Sequence, residues 1–145
     1  GTLKRPTGQG FIFKTSGNNQ SVTIDNLTFD GGGIDAGNTM AKNLKVVNST
    51  IRNISKGWPT GNGILVTAGA ENMTVQNNKF LNIMGETAIY GFNRFHNVNI
   101  TNNYFEKVME GVHFYYENGG EIGRRYHRTL DGDTDSGVFY RLGHS

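Results

Sequence analysis

Apolar and polar positions alternate along this chain in short runs, and the runs recur. The segment Met73-Thr74-Val75-Gln76-Asn77-Asn78-Lys79-Phe80 sets the pattern. Two apolar residues flank a polar one, an Asn follows, and an apolar residue stands three positions after that Asn. The same order is found in Val98-Asn99-Ile100-Thr101-Asn102-Asn103-Tyr104-Phe105, in Leu44-Lys45-Val46-Val47-Asn48-Ser49-Thr50-Ile51 and in Val22-Thr23-Ile24-Asp25-Asn26-Leu27-Thr28-Phe29. The starts at Val22, Leu44, Met73 and Val98 define a period of roughly 25 residues. Alternation with a period of two predicts half-buried strands. In three copies a further apolar residue follows: Ile54, Ile83 and Val108. Asn26, Asn48, Asn77 and Asn102 predict a sharp bend, because Asn tolerates the left-handed backbone region.

A second pattern is interleaved with the first: small-apolar-x-apolar. It reads Gly10-Phe11-Ile12-Phe13, Gly63-Ile64-Leu65-Val66, Ala88-Ile89-Tyr90-Gly91, Gly111-Val112-His113-Phe114 and Gly137-Val138-Phe139-Tyr140, with Gly33-Ile34-Asp35-Ala36 as a weaker copy. Its starts, from Gly10 through Gly33, Gly63, Ala88 and Gly111 to Gly137, keep the same period. Two strand signals with one common period predict a coil that repeats, with two strands and a third after the Asn bend. Coils stacked at about 4.8 Å would bring the four Asn side chains together as one interior file, each amide bonded to the next.

Strand parity then assigns the outer face. The x position and the residue after the last apolar one point outward. The first outward column is Ile12, Asp35, Leu65, Tyr90, His113 and Phe139. The second is Lys14, Gly37, Thr67, Phe92, Tyr115 and Arg141. Aromatic rings this dense on an outer face are not needed for the core and suit ligand binding.

The small-Ile-x-Val strand, the N-x-T-I strand and the Asn column together resemble the right-handed parallel β-helix of the pectate-lyase-like superfamily, over roughly residues 10–142. The expected fold is all-β: a right-handed parallel β-helix of about five to six coils. It forms a single domain over residues 1–145, with a lead-in at 1–9 and an irregular charged loop at 121–136. In that superfamily the outer face with the x column commonly floors a polysaccharide groove. The resemblance therefore implies a polysaccharide lyase, a glycoside hydrolase or a phage tail-spike depolymerase. It speaks for the fold more than for one activity.

Composition agrees with many turns: 21 Gly and 18 Asn among 145 residues, and only 18% charged residues. The net charge of +2 gives no general argument for nucleic acid. The absence of cysteine excludes a disulfide framework, a thiol nucleophile and a thiolate metal site. No apolar run approaches the ~20 residues of a membrane span. Neither end offers an amphipathic capping helix, so flanking domains or an oligomer are expected to cover the coil ends.

Candidate chemistry gathers near the outward columns. Glu86 and Glu110 lie about one coil apart, a placement that suits the two carboxylates of glycoside hydrolysis. A lyase instead abstracts the proton beside a uronate carboxylate, which needs a base and a neutralising cation. His113 and Tyr115, with Arg141 or Arg94 nearby, fit that role. Tyr90, Phe92 and Phe139 would stack on sugar. Trp58, the only Trp, sits in an insertion at residues 55–62. It either offers an apolar platform or folds over the base of its own loop. Arg124 and Arg125 belong to a cationic run that either forks onto an anionic sugar or stays solvated. Asp131, Asp133 and Asp135 alternate as calcium ligands do, although no EF-hand follows. Calcium is the one cofactor suggested, and no organic one.

The expected function is therefore a carbohydrate-active β-helix protein that cleaves a polysaccharide. Its expected location is extracellular, periplasmic or virion-associated. The competing reading is a non-catalytic carbohydrate-binding or structural β-helix, such as a tail-spike or adhesin segment.

Overall fold

A computed structural model describes residues 1–5, 10–15, 21–93, 95–115, 125–129 and 138–142, with the backbone alone for 115, 125–129 and 138–142. The chain winds as a parallel β-solenoid with about four turns among these residues. An opening partial coil holds β1 (Thr2–Lys4) and β2 (Phe13–Lys14). The next holds β3 (Thr23–Asp25), β4 (Thr28–Asp30) and β5 (Ile34–Asp35). It is followed by β6 (Ala41–Lys42), β7 (Lys45–Val47), β8 (Thr50–Ile54) and β9 (Ile64–Val66). In the last two coils the short strands fuse into β10 (Ala70–Gln76), β11 (Lys79–Phe92), β12 (Phe95–Thr101) and β13 (Tyr104–Tyr115). β14 (Arg125–Thr129) and β15 (Val138–Leu142) complete the described chain.

Three faces result. One is β3-β7-β10-β12, with β6 also on β10. The other two, β1-β4-β8 and β2-β5-β9, join through β11, which also pairs with β13. Every pairing in these faces is parallel, and the register matches the sequence copies: Ile24 with Val46, Val75 with Val46 and Ile100, Phe80 with Ile51 and Phe105. The inward residues form continuous buried files, among them Phe29, Ile51, Phe80 and Phe105, and Ile34, Ile64, Ile89 and Val112. Phe80 and Phe105 stack at 5.0 Å between centroids. Gly91 opens space at its level: a Cβ there would run into the rings of Phe114 and Phe95.

Each predicted bend is present, with Asn26, Asn48, Asn77 and Asn102 at φ of 61°, 53°, 60° and 55°. Two further columns adopt the same conformation, Asn43, Asn72 and Asn97, and Gly31, Asn53, Asn82 and Lys107. The expected interior file is corrected, however. The four bend Asn residues are exposed, and the residue after each one turns inward or partly so. A left-handed residue reverses the strand's side-chain alternation, so the bend amide itself faces water. The interior file is Ser49, Asn78 and Asn103, all buried.

These side chains answer a backbone need. At the bend the strand ladder is interrupted, and the amide after the left-handed residue needs another acceptor. Ser49 Oγ accepts from the Leu27 amide at 3.1 Å. Asn78 Oδ1 accepts from the Ser49 amide at 2.9 Å, and Asn103 Oδ1 from the Asn78 amide at 3.0 Å. Asn78 Nδ2 in turn donates to the Val46 carbonyl at 2.8 Å, and Asn103 Nδ2 to the Val75 carbonyl at 2.9 Å. Each coil thus completes the bend of the coil before it. On the outside, Asn97 donates to Asn72 at 2.7 Å and Asn72 to Asn43 at 3.3 Å. Asn82 donates to Asn53 at 3.0 Å, and Asn53 to Asp30 at 2.9 Å.

Two other expectations are corrected. Phe13 pairs with Ile34 and Lys14 with Asp35, so Lys14, not Ile12, occupies the first outward column. The first coil is offset by two positions, and the Lys14 ammonium lies 3.8 Å from the Asp35 carboxylate. Val138–Leu142 is hydrogen-bonded to β14, where the repeat predicts a parallel partner in β13. β15 runs antiparallel to β14, with Phe139 opposite Arg128 and Arg141 opposite Tyr126. Part of the stretch expected as irregular loop is therefore strand.

Four substitutions test this account of stability. Asn78→Ala orphans the Ser49 amide and removes one donor from the Val46 carbonyl, and is expected to cost roughly 1–3 kcal/mol in urea unfolding. Asn77→Gly keeps the left-handed bend and is expected to stay within about 1 kcal/mol of wild type. Equal losses would remove Asn78 from the interior role. Lys107 is the one long side chain in its left-handed column. Lys107→Asn should raise the thermal midpoint, by relieving about 0.5–1 kcal/mol of strain and extending the outer ladder onto Asn82; a lowered midpoint contradicts this. The hydrogen bond from Asn53, aided by Arg52 and opposed by burial, holds the Asp30 carboxyl below its ordinary value of 3.8. A depressed folded value stabilises above the ordinary range and is lost as pH falls through the folded value. Thermal melts of Asp30→Asn should show a shallower stability loss below about pH 4 than wild type.

Candidate functional site

The candidate site lies on the outer face of the β9-β11-β13 layer. Ile89, Gly91, Val112 and Phe114 are buried, so Tyr90 and His113 project from the other side of the same strands. The register sets Leu65, Tyr90 and His113 on successive rungs, and Phe92 beside Tyr115. Tyr90 and His113 stack with centroids 5.5 Å apart and planes 14° off parallel. Tyr90 and Phe92 approach to 5.0 Å. Leu65, expected outside, is only 3% exposed, so the chain itself roofs that end of the file.

Trp58 reaches this wall from the inserted loop. Its ring lies 5.4 Å from Tyr90 and 5.6 Å from Phe92. It remains 50% exposed. It thus packs on the rings of the wall and still offers half its surface to solvent. The loop can lie so close because residue 85 is Gly. A Cβ on Gly85 would overlap the Lys56 carbonyl oxygen, and so would one on Gly61.

Beside the rings, Glu110 holds His113. Nδ1 lies 2.9 Å from Oε2 and 3.0 Å from Oε1. The second holder of the carboxylate is Thr87, whose hydroxyl donates to Oε1 at 2.7 Å. Thr87 was invisible to sequence reasoning, which set Glu86 against Glu110. A change of offset between neighbouring coils explains this. Ile83 pairs with Val108, but Thr87 pairs with Glu110, so the spacing between partners shortens by two positions along the same strand pair. That shift brings Thr87, not Glu86, across from Glu110. Glu86 is half-buried on β11, one position out of that register.

The other sequence candidates are placed as follows. The backbones of Tyr115, Arg125, Phe139 and Arg141 lie in β13, β14 and β15, and their side chains lie outside the description. Arg94, Arg124, Asp131, Asp133 and Asp135 lie outside the described residues, and with them the suggested calcium ligands. Among the described residues no group of three or more His, Cys, Asp or Glu side chains is placed to hold a metal ion. A shallow depression of about 280 Å³ lined by Leu81, Asn82, Glu106 and Lys107 shares no residue with the aromatic wall. Asn82, Glu106 and Lys107 on its rim are exposed, so we place the candidate site at the wall, where rings and a titratable pair converge. Among the described residues no helix is long and apolar enough to cross a membrane.

Comparison with curated proteins and with solved structures gives no match. A family model described as "Right handed beta helix region" matches residues 2–129. The parallel register, the three faces and the Asn-lined bends agree with that match, and the chain belongs to the right-handed β-helix family.

Proposed function

We propose that this chain is a carbohydrate-active β-helix protein that binds a uronate-containing polysaccharide along the aromatic wall and cleaves it by β-elimination. The observation that carries the reading is the file of Trp58, Tyr90 and Phe92 with His113 stacked into it. Sugar rings present apolar C–H faces, and exposed aromatic faces are their natural complement. His113 supplies a base within that file. Its Nε2 takes the proton from the carbon beside the uronate carboxylate. The C–H electrons become the new C=C bond, the C–O bond to the leaving sugar breaks, and water protonates the departing oxygen.

Elimination also needs positive charge against the uronate carboxylate. That charge would come from calcium or from the guanidinium groups of Arg94, Arg124, Arg125 and Arg141. Hydrolysis by two carboxylates has less support. Glu110 is engaged by His113 and Thr87, and the register sets Thr87 rather than Glu86 opposite it. A polymer substrate of this kind fits an extracellular, periplasmic or virion-associated protein.

The test is depolymerisation of a panel of uronate-containing and neutral polysaccharides, with and without calcium or a chelator. The expected product is unsaturated and absorbs in the ultraviolet. His113→Ala should lower kcat by roughly 10²–10⁴-fold. Trp58→Ala should weaken binding by roughly 3–10-fold. Reducing ends without ultraviolet absorbance would make the protein a hydrolase. Binding without any cleavage would leave a carbohydrate-binding or structural β-helix.

A further inference from the structure

We infer that Thr87 and Glu110 are positioning residues: a two-step hydrogen-bond relay across neighbouring coils that sets the tautomer and orientation of His113. The inference rests on the reading of His113 as the base of this site. An ionised carboxylate has no proton to give. The contacts of 2.9 and 3.0 Å between Glu110 and Nδ1 therefore require the ring hydrogen on Nδ1. In the neutral ring that puts the lone pair on Nε2, the nitrogen that must accept the substrate proton. An unassisted imidazole favours the opposite tautomer, with its hydrogen on Nε2, which is useless as a base at that atom.

Glu110 alone would be a weak fixture, because its side chain is 38% exposed. Thr87 supplies the second anchor. It is only 1% exposed and belongs to the preceding coil, across the parallel register from Glu110. Its hydroxyl donates to Oε1 at 2.7 Å, a length typical of a hydroxyl bonded to a carboxylate. The buried hydroxyl thus fixes the carboxylate, the carboxylate fixes Nδ1, and Tyr90 stacked at 5.5 Å fixes the ring plane. When His113 takes the proton, the imidazolium forms beside a carboxylate already in place. This assigns Glu110 a different task from that of a catalytic acid: it acts on His113 and not on the sugar.

The decisive measurement is ¹⁵N NMR of the imidazole rings, with His113 assigned by its loss in His113→Ala. Wild type is expected to show the Nδ1–H tautomer. Glu110→Ala should shift His113 toward the Nε2–H form, as should Thr87→Val in smaller degree, while Thr87→Ser should restore the wild-type signal. On a cleaved polysaccharide, Glu110→Ala should lose roughly 10–100-fold in kcat at little changed KM. Thr87→Val should lose roughly 3–10-fold, with rescue by Thr87→Ser. Circular dichroism separates an unfolded variant from a folded one with the wrong tautomer, and Thr87→Ser carries the test if Thr87→Val fails to fold. An Nδ1–H signal that persists in Glu110→Ala overturns the relay, whatever the activity. If no polymer is cleaved but the tautomer responds as stated, the relay stands and the lyase reading falls.

Discussion

The bend after each Asn is the constraint on which the solenoid depends. A chain that turns within one residue must leave the strand ladder there, and the next amide loses its ladder partner. Ser49, Asn78 and Asn103 supply acceptors for those amides from the following coil. The bond runs between coils, so it does two tasks at once. It satisfies a buried donor, and it locks the vertical register of neighbouring coils. A slip by a single position would orphan these amides and turn the Phe29, Ile51, Phe80 and Phe105 file outward.

Register kept in this way turns a one-dimensional repeat into a surface. Side chains a full coil apart in sequence become neighbours about 4.8 Å apart. That is how Tyr90 and His113 come to stack, and how Thr87 reaches Glu110. The site gathers where regularity is broken twice. An insertion brings Trp58 over the wall, and a register shift between β11 and β13 changes which residues face each other. Both departures are of the kind by which a solenoid builds specificity, since a perfectly regular coil presents the same column everywhere.

The physics of the wall favours recognition through contact area over charge. Three aromatic rings lie within 5.0 to 5.6 Å of one another, and the His113 imidazole stacks on one of them, Tyr90, at 5.5 Å. The contact of His113 with Glu110 is partly solvated, so its worth lies in geometry more than in energy. The loop that carries Trp58 approaches the wall only because Gly85 and Gly61 lack a Cβ. The backbone therefore contributes to the site as directly as the rings do.

The sequence by itself determined the strand periods, the left-handed bends at Asn26, Asn48, Asn77 and Asn102, and the outward direction of Tyr90 and His113. These follow from local rules: alternation of side chains along a strand, and the tolerance of Asn for positive φ. From the period of the copies the parallel stack and its apolar files were also legible. Which Asn faces the core was not, because a left-handed residue flips the parity by one position, and two Asn stand side by side at 77–78 and 102–103. The partner of Glu110 was hidden for a related reason. The coil offset changes between the Ile83–Val108 rung and the Thr87–Glu110 rung of one strand pair, and only pairing in three dimensions reveals it. Likewise Val138-Phe139-Tyr140 has the composition of a next coil but pairs antiparallel with β14. Periodicity states that coils stack; the tertiary structure decides the register, and register decides which side chains meet.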